Sequence, residues 1–566
     1  MDGPRLTRVD RDAEIVRRNN ALARARAKAT LLAGLPAESQ AAMIAHLPRD
    51  HASVVTWQDV APLAISDAIR NAPPLEWGND RLGLGVLTAM NERRLLKFTD
   101  APSPRAAVPS RSGHLVICEA GHALTEVIAA NYAYSLGAGL HVIDETDDDE
   151  CDQLMEAYYG IDEPGKNAAL ERERLKQRLR ELVGAAPVPE GGSLTFITKK
   201  LPFGAAYPEV PSTHLFAYPD LGIAVVNGFA AEQSGTRGTN VAVLVDPGKV
   251  QAPEMDAAAK LLPERGILAR AYRGNGATVR AVTDMANLFP YDLLLFATHC
   301  GDASGYRETY EFRDSEGNDR RLVVDIALGV GETDDPEILS VVIYQRFVSL
   351  DGVDWTDPVA KAKLHLGPAI LDFTEMNKAG RMKPVHQEAI ARVHGSAAMM
   401  MADNNYLLMS TMLAAGGSPI VINNACVSWH ELAGRFMFAN VRAYAGTLFS
   451  VSDIEAEAIV LRVLDKFFGK PLAHAFWSAQ NAVYGPDGDR RPYVVTGVYP
   501  QRLRATKEHV PSHILRHLLE GTREWKARLD ANAKDKKLAK RYAETVAYYD
   551  QEIADLRALW FAPPRN

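Results

Sequence analysis

The chain of 566 residues is poor in cysteine and has only four, at Cys118, Cys151, Cys300 and Cys426. So few cysteines in so long a chain exclude a disulfide framework and favour reduced thiols. The sequence has no run of about 18 apolar residues, which argues against a membrane span. Its first twenty residues are charged throughout and lack the apolar core of a secretory signal. Together these absences predict a cytoplasmic protein.

An excess of positive charge is also missing. The 63 Lys and Arg residues are outnumbered by 71 Asp and Glu residues, and the net charge is -8. Proteins that bind nucleic acid or anionic membranes usually present basic surfaces, so the charge predicts neither partner. No phosphate-binding glycine motif follows any predicted strand, which makes a nucleotide-binding Rossmann protein the least favoured interpretation.

Composition divides the chain into four regions. Residues 1–100 are rich in helix formers, notably over residues 21–32, and predict a helical N-terminal region. Residues 110–235 alternate short apolar strands with helical segments and predict an α/β domain, either a degenerate pseudo-protease or a sensor. Residues 239–500 repeat this alternation more regularly, which predicts a second α/β domain with a parallel sheet covered on both faces. Residues 505–566 are highly charged and predict a helical C-terminal region.

Some local patterns predict individual elements. Thr309–Arg313 and Arg321–Ile326 predict a β-hairpin, and Thr278 predicts a helix N-cap. Residues 223–227 are apolar and predict a strand. Residues 385–413 are rich in Ala and Met and predict a helix, in which the dipeptide His394-Gly395 has no catalytic role.

Cys426 follows a short apolar run, Ile420-Val421-Ile422, that begins after Pro419 and ends at two asparagines. Its length and β-branched residues predict a buried strand. Open α/β sheets place their chemistry at the carboxyl ends of strands, where Cys426 would lie. A helix that begins a few residues later would favour the thiolate. A lone cysteine is more often a small buried apolar residue, so this position alone does not predict catalysis.

His299 ends a second run of the same kind, in the stretch Leu293-Leu-Leu-Phe-Ala-Thr-His299. A thiol and an imidazole at the tips of two buried strands are what a cysteine–histidine dyad requires. The backbone N–H groups of Cys300 and Gly301 are the predicted oxyanion donors. The dyad is therefore the leading prediction, with Cys426 as nucleophile and His299 as general acid and base.

Three successive motifs resemble the CHAT domain of the caspase–separase clan of cysteine peptidases. They are Val421-Ile-Asn-Asn-Ala-Cys-Val-Ser-Trp429, Arg442-Ala-Tyr-Ala-Gly-Thr-Leu-Phe-Ser-Val-Ser-Asp453 and Phe467-Phe-Gly-Lys-Pro-Leu-Ala-His-Ala-Phe-Trp-Ser-Ala-Gln480. The match covers roughly residues 240–500. It implies a caspase-like three-layer α/β/α sandwich, catalysis by Cys426 and His299, no cofactor, and cleavage of a protein partner. It also implies a latent enzyme of a bacterial antiviral defence system, activated by a regulatory protein.

The sequence departs from the family's pattern at both catalytic motifs. Asn424 and Ser428 stand where the caspase signature has Gln and Gly. Cys300 separates His299 from Gly301, whereas glycine usually follows the histidine directly. A metal site at His299 and Cys300 is the less favoured alternative, because adjacent residues rarely chelate one ion well.

Substrate preference in this family depends on acidic residues near the helix that follows the post-cysteine strand. The S1 candidates here are Asp453, Glu455 and Glu457, with Asn424 beside the nucleophile. They predict a preference for Arg or Lys before the cleaved bond. Asp453 has an equally favoured structural role as a helix N-cap.

Two further interpretations remain open. The stretch Glu145–Asp152 holds six carboxylates; a solvated loop that caps the next helix is favoured over a metal site, since no histidine accompanies it. For the whole chain, the alternative to a peptidase is a catalytically silent caspase-fold module that binds a partner. Faster alkylation of Cys426 than of Cys118 or Cys151 would favour the enzyme.

Overall fold

A computed structural model of the protein describes residues 30–33, 52–56, 66–217, 221–233, 239–332, 339–408, 412–486, 490–505 and 510–561, with a few isolated positions between them. Most of the helical segments predicted before residue 66 lie outside these ranges. Thr30–Ala33 is a strand, so the prediction that a helix continues to Leu32 is wrong at its end.

Twenty-two strands are found in the described ranges. In chain order they are β1 Thr30–Ala33, β2 Ala52–Val55, β3 Leu75–Trp77, β4 Leu96–Phe98, β5 His114–Glu119, β6 Gly139–Ile143, β7 Ser193–Thr198, β8 Ser212–Phe216, β9 Val241–Asp246, β10 Leu268–Arg273, β11 Leu293–Phe296, β12 Cys300–Gly301, β13 Gly305–Arg313, β14 Asp319–Glu332, β15 Leu339–Leu350, β16 Val353–Asp354, β17 His386–Ile390, β18 Ala398–Met400, β19 Asn405–Leu407, β20 Ile420–Asn423, β21 Ala443–Thr447 and β22 Tyr493–Gly497.

Fifteen α-helices accompany these strands in the same ranges. They are α1 Asp67–Asn71, α2 Leu82–Glu92, α3 Ala123–Leu136, α4 Asp148–Tyr159, α5 Ala168–Val183, α6 Leu221–Gln233, α7 Pro253–Glu264, α8 Val279–Leu288, α9 Pro358–Lys363, α10 Ala369–Lys378, α11 His430–Phe438, α12 Asp453–Leu464, α13 Leu472–Tyr484, α14 Val510–Ala531 and α15 Lys536–Trp560. The fold is therefore mixed α/β, as predicted.

One ten-stranded sheet runs through both α/β regions. Its strand order is β10-β9-β11-β20-β21-β22-β8-β7-β5-β6. All neighbours are parallel except β21 and β22, which are antiparallel. Because β22 pairs in parallel with β8 through Thr496 and His214, the strands of the first region run opposite to β9, β11, β20 and β21. The strands of the two sets therefore have their carboxyl ends at opposite ends of the sheet along the strand direction.

Both faces of this sheet are covered, which explains the continuous apolar runs in its strands. Side chains of one strand alternate between two cores because the side-chain period of a strand is two. In β9, Val241, Val243 and Val245 pack into one core, whereas Ala242 and Leu244 pack into the other. All five of these side chains are fully buried.

A second, antiparallel sheet lies between β11 and β20 in the sequence. Its order is β16-β15-β14-β13-β17, and its β13–β14 hairpin confirms the one predicted at residues 309–326. Phe373 of α10 packs against Tyr310 in a small core of this insertion. This sheet lies in the segment that connects β11, the strand before His299, to β20, the strand before Cys426.

In the charged C-terminal region, helices α14 and α15 pack against each other as a hairpin. Ile514, Leu518 and Ile553 on its inner side join the core beneath β9. Arg270 of β10 forms an ion pair with Glu552 of α15, which links the edge of the sheet to the hairpin.

Two further predicted elements are wrong. Residues 223–227 belong to helix α6 rather than to a strand, because an apolar run of this length is compatible with either structure. Residues 385–413 contain β17, β18 and β19 instead of a helix. There, pairing with β13 and β12 overrides the helix propensity of Ala and Met.

Among the described residues, no helix is long and apolar enough to cross a membrane.

Candidate functional site

His299 and Cys426 follow adjacent strands at one edge of the large sheet. Strands β11 and β20 are parallel, with Phe296 paired to Asn423, and each candidate residue comes three positions after its member of that pair. The Asn424 N–H donates to the Phe296 carbonyl at 2.9 Å, so the strands remain joined one residue further. The structure therefore brings the two predicted residues to the same carboxyl edge.

Cys426 lies in a turn between β20 and α11 and is half-buried. Its Sγ atom donates to the carbonyl of Val451 at 3.5 Å and accepts from the N–H of the same residue at 3.4 Å. The first contact requires a protonated thiol, because a thiolate has no hydrogen to donate. The sulfur is thus held by the loop that follows β21.

The residue after the candidate nucleophile has an unusual backbone. Val427 has a φ of 54°, a region that β-branched residues rarely occupy. Such strain persists only where the surroundings impose it, and it is concentrated at functional sites.

Hydrogen bonds around the turn impose this conformation. The Ser428 hydroxyl donates to the Asn423 carbonyl at 3.0 Å and accepts from the Thr447 N–H at 3.0 Å. The Thr447 hydroxyl donates to the Ala425 carbonyl at 2.7 Å. Ser428, which stands in place of the caspase signature's glycine, therefore ties the turn to β21.

The imidazole of His299 is exposed to solvent. The backbone carbonyl of His299 accepts a hydrogen bond from the Met400 N–H at 2.9 Å, which fixes the main chain beside β18. Among the residues that the structure describes, no hydrogen bond joins the imidazole to the Cys426 sulfur, whose polar contacts are both with Val451.

The predicted oxyanion residues, Cys300 and Gly301, form the short strand β12 against β18. Burial raises the pKa of the Cys300 thiol, and the charges of Asp302 and Cys426 raise it further. Cys300 therefore remains a neutral thiol close to Cys426.

The S1 candidates on α12 differ in what they contact. The N-cap of α12 is Ser452, so the alternative role of Asp453 as N-cap is wrong. Asp453 occupies the first turn with an exposed side chain. Glu455 forms a capping box with Ser452 and accepts two hydrogen bonds from Arg490, at 2.8 and 3.1 Å.

These partners hold Glu455 in its charged form. Burial opposes ionisation, but the hydrogen bonds from Arg490 and Ser452 keep the pKa of Glu455 at about 2. Glu455 is thus committed to the helix terminus. Glu457 is half-buried and lies near enough to Glu254 to raise the pKa of that carboxyl.

Asn424 is buried and forms hydrogen bonds with two neighbouring side chains. Its Nδ2 donates to Glu254 Oε1 at 2.6 Å, and its Oδ1 accepts from the Tyr493 hydroxyl. Burial raises the pKa of Glu254, and the bond from Asn424 lowers it only in part. Within the described structure, Glu254 Oε2 is buried with no hydrogen-bond partner. No sequence pattern indicated Glu254, which follows a proline at the start of a helix.

An ionic cluster lies behind the histidine loop. Arg392 donates to Asp302 Oδ2 at 2.9 Å and to both oxygens of Glu156, at 2.7 and 2.9 Å. His394 Nδ1 lies 3.1 Å from Glu156 Oε1 and 3.7 Å from Asp302 Oδ2. Burial would raise the pKa of Asp302, but its bonds to His394 and the Ala397 N–H, with the charge of Arg392, hold it at about 2.

The sequence did not predict this cluster, because its Ala- and Met-rich surroundings placed His394 in a helix. Its members come from α4 and from loops that are 146 or more residues later in the chain, a separation over which local patterns carry no information.

No group of three metal-ligating side chains occurs among the described residues. In the acidic stretch, Asp147 accepts from the N–H groups of Asp149 and Glu150 as the N-cap of α4. This confirms the predicted capping role of that stretch.

A cavity of about 1080 Å³ lies between α8 and the C-terminal hairpin. It is lined by Arg280, Asp284, Trp525 and Tyr548 among others, and by none of the predicted site residues. The candidate site is therefore the carboxyl edge of the sheet at Cys426 and not this cavity.

No known protein-family model matches the chain, and no curated protein sequence matches it.

Proposed function

We propose that the protein is a CHAT-type cysteine endopeptidase with a caspase-like three-layer α/β/α core. The observation that carries this proposal is the register of β11 and β20. Phe296 pairs with Asn423, and His299 and Cys426 each follow three residues after their member of this pair. The strained Val427 beside Cys426 supports it, because backbone strain of this kind is concentrated at functional sites.

The chemistry would follow the usual course of a cysteine–histidine dyad. His299 removes the thiol proton of Cys426, and the sulfur attacks the carbonyl carbon of a peptide bond. N–H groups of Cys300 and Gly301 are candidate donors to the resulting oxyanion. His299 then protonates the leaving amine, and water hydrolyses the thioester to release the acid product and the free thiol.

The contacts of Cys426 favour an enzyme that is latent before activation. The sulfur donates to the Val451 carbonyl and makes no hydrogen bond to His299 in the described structure. Ionisation of the thiol would remove that bond and leave the sulfur facing a carbonyl oxygen. Activation would therefore involve movement of the loop after β21. A regulatory protein in a cytoplasmic antiviral defence system is the proposed trigger.

Among the S1 candidates, Asp453 and Glu457 are favoured over Glu455 and Asn424. Glu455 is committed to Arg490 and Ser452, and Asn424 to Glu254 and Tyr493. An exposed or half-buried carboxylate near the nucleophile would attract an Arg or Lys side chain of the substrate.

The test is to incubate the purified full-length protein with the products of its neighbouring genes and to map new N-termini by mass spectrometry. We expect cleavage by the wild type and by Cys151→Ala, and none by Cys426→Ala or His299→Ala. Cleavage that persists in both dyad variants would disprove the peptidase.

A non-catalytic binding module of the same fold is the second candidate. The lack of a Cys426–His299 hydrogen bond among the described residues favours it. It predicts that a neighbouring gene product co-purifies equally with the wild type and Cys426→Ala, and that no new N-terminus appears.

A further inference from the structure

The turn at the end of α4 reaches the candidate site from the other half of the sheet. Helix α4 begins beside the carboxyl ends of β5 and β7, where Lys199 bonds Asp148 at 3.1 Å. Twelve helical residues span about 18 Å. Because the two halves of the sheet run in opposite directions, α4 ends at the edge that carries Cys426 and His299. Ile161, which is fully buried, anchors this turn in the core.

Tyr159 contacts the loop that follows His299. Its hydroxyl accepts from the Asp302 N–H at 2.9 Å. A methyl group added at Gly301 would meet the same hydroxyl at 3.2 Å, so Tyr159 lies directly against a predicted oxyanion residue. The guanidinium of Arg392 lies 3.7 Å from the centre of the Tyr159 ring and holds the ring in place.

Asp162, three residues further on, contacts the loop beside Cys426. Its Oδ2 accepts from the Ser450 N–H at 3.0 Å. The next residue, Val451, makes both hydrogen bonds to the Cys426 sulfur. One turn of the chain therefore bonds the backbone on the histidine side and the backbone on the cysteine side of the site.

We infer that Tyr159 and Asp162 are positioning residues that set the relative placement of Cys426 and His299. In the described structure neither forms a hydrogen bond with the sulfur or the imidazole. Tyr159 acts through the Asp302 N–H, three residues after His299, and Asp162 through the Ser450 N–H, next to Val451. The inference rests on the proposed cysteine–histidine site. It assigns the first α/β region a role in that site, because any displacement of α4 would move both loops together.

The experiment compares Tyr159→Phe, which removes only the hydroxyl oxygen, with Asp162→Ala, which removes the acceptor for Ser450. Tyr134→Phe and Glu163→Ala are the matched controls, since Tyr134 is exposed on α3 and Glu163 forms an ion pair with Lys166. The readout is the rate of Cys426 alkylation by iodoacetamide as a function of pH, followed by peptide mass spectrometry in the full-length protein. Melting temperature is measured alongside.

We expect Tyr159→Phe and Asp162→Ala each to change the alkylation rate by roughly three-fold or more and to shift its pH profile. Both controls should match the wild type. Asp162→Asn should restore the wild-type profile, because its amide oxygen can accept from the same N–H. A purely structural role would lower the melting temperature and leave the pH profile of Cys426 alkylation unchanged.

Wild-type alkylation profiles in both test variants would overturn the inference, even if the protein proves to be a peptidase. Altered profiles in a protein that cleaves nothing would sustain the positioning role and count against the proposed function. Equal effects of Glu163→Ala and Asp162→Ala would also overturn it, because the bond to Ser450 would then be irrelevant.

Discussion

The N–H and the carbonyl of Val451 both bond the sulfur of Cys426, at 3.4 and 3.5 Å. A single residue of the loop after β21 therefore holds the predicted nucleophile. These two contacts, one donated and one accepted by the sulfur, position the side chain of Cys426 without a bond to a histidine in the described structure.

Cys426 should be the most reactive of the four cysteines. Burial raises the pKa of Cys118 and Cys300, and raises that of Cys151 to about 12. At pH 7.5 we expect iodoacetamide to label Cys426 at least about ten-fold faster than the other three, because the thiolate is the reacting species. Peptide mass spectrometry over a time course measures the rates. Equal slow labelling of all four sites would contradict the expectation.

Arg392→Gln should destabilise the protein by about 1–3 kcal/mol. The substitution leaves Asp302, whose side chain is 5% exposed, and Glu156 without their guanidinium partner. Urea unfolding gives the free energy. Arg174→Gln is the matched control: its exposed pair with Glu171 is expected to contribute less than about 0.5 kcal/mol. Similar losses in the two variants would contradict the importance of the cluster.

Acid should weaken the fold between about pH 4 and pH 2. The pKa of Asp302 is about 2 in the folded chain, below the value of about 3.9 in an unfolded one. Its contribution, roughly 2 kcal/mol, is therefore complete above pH 4 and is lost as the pH falls towards 2. We expect Asp302→Asn to flatten this part of the dependence of melting temperature on pH. An unchanged slope would show that Asp302 is not the group responsible.

Val427→Gly should be tolerated or should stabilise the protein by up to about 1 kcal/mol. Glycine adopts the φ of 54° without strain, which offsets the greater entropy of the unfolded chain. Val451→Gly, at a position without positive φ, is expected to destabilise by a similar amount. Thermal unfolding of both variants checks the difference. A larger loss for Val427→Gly would mean that its side-chain packing outweighs the strain.

Glu254→Gln should leave the stability at pH 7 to 8 unchanged or raise it, by no more than about 1 kcal/mol. Glutamine keeps an oxygen that accepts the hydrogen bond from Asn424. It removes the ionisable carboxyl group, whose pKa is raised by burial. A buried carboxyl with a raised pKa destabilises the folded chain when the pH rises through that pKa and the group becomes charged. The stability gained by Glu254→Gln should therefore vanish in acid. Melting temperatures at pH 5 and pH 8 test it, with Glu163→Gln as the exposed control. A lower melting temperature at pH 8 would contradict it.

Local patterns in the sequence were sufficient to predict the strands that end at Phe296 and Asn423 and the residues that follow them. A short buried strand is encoded by its own apolar run and by the residues that end it, so His299 and Cys426 could be placed at strand tips without any tertiary information. The same holds for the hairpin within residues 305–332 and for the Thr278 N-cap, whose hydroxyl accepts from the Ala281 N–H.

The tertiary structure alone decided what surrounds those tips. The pairing of β22 with β8 joins two α/β regions in one sheet with opposed strand directions, and so brings Tyr159 and Asp162 to the site. Contacts between residues hundreds of positions apart leave no periodic pattern in the sequence, because they depend on which strands pair and not on local propensity. The cap of α12 is different, because it is local: Ser452 and Glu455 form a capping box, a four-residue sequence pattern that identifies Ser452 rather than Asp453 as the N-cap.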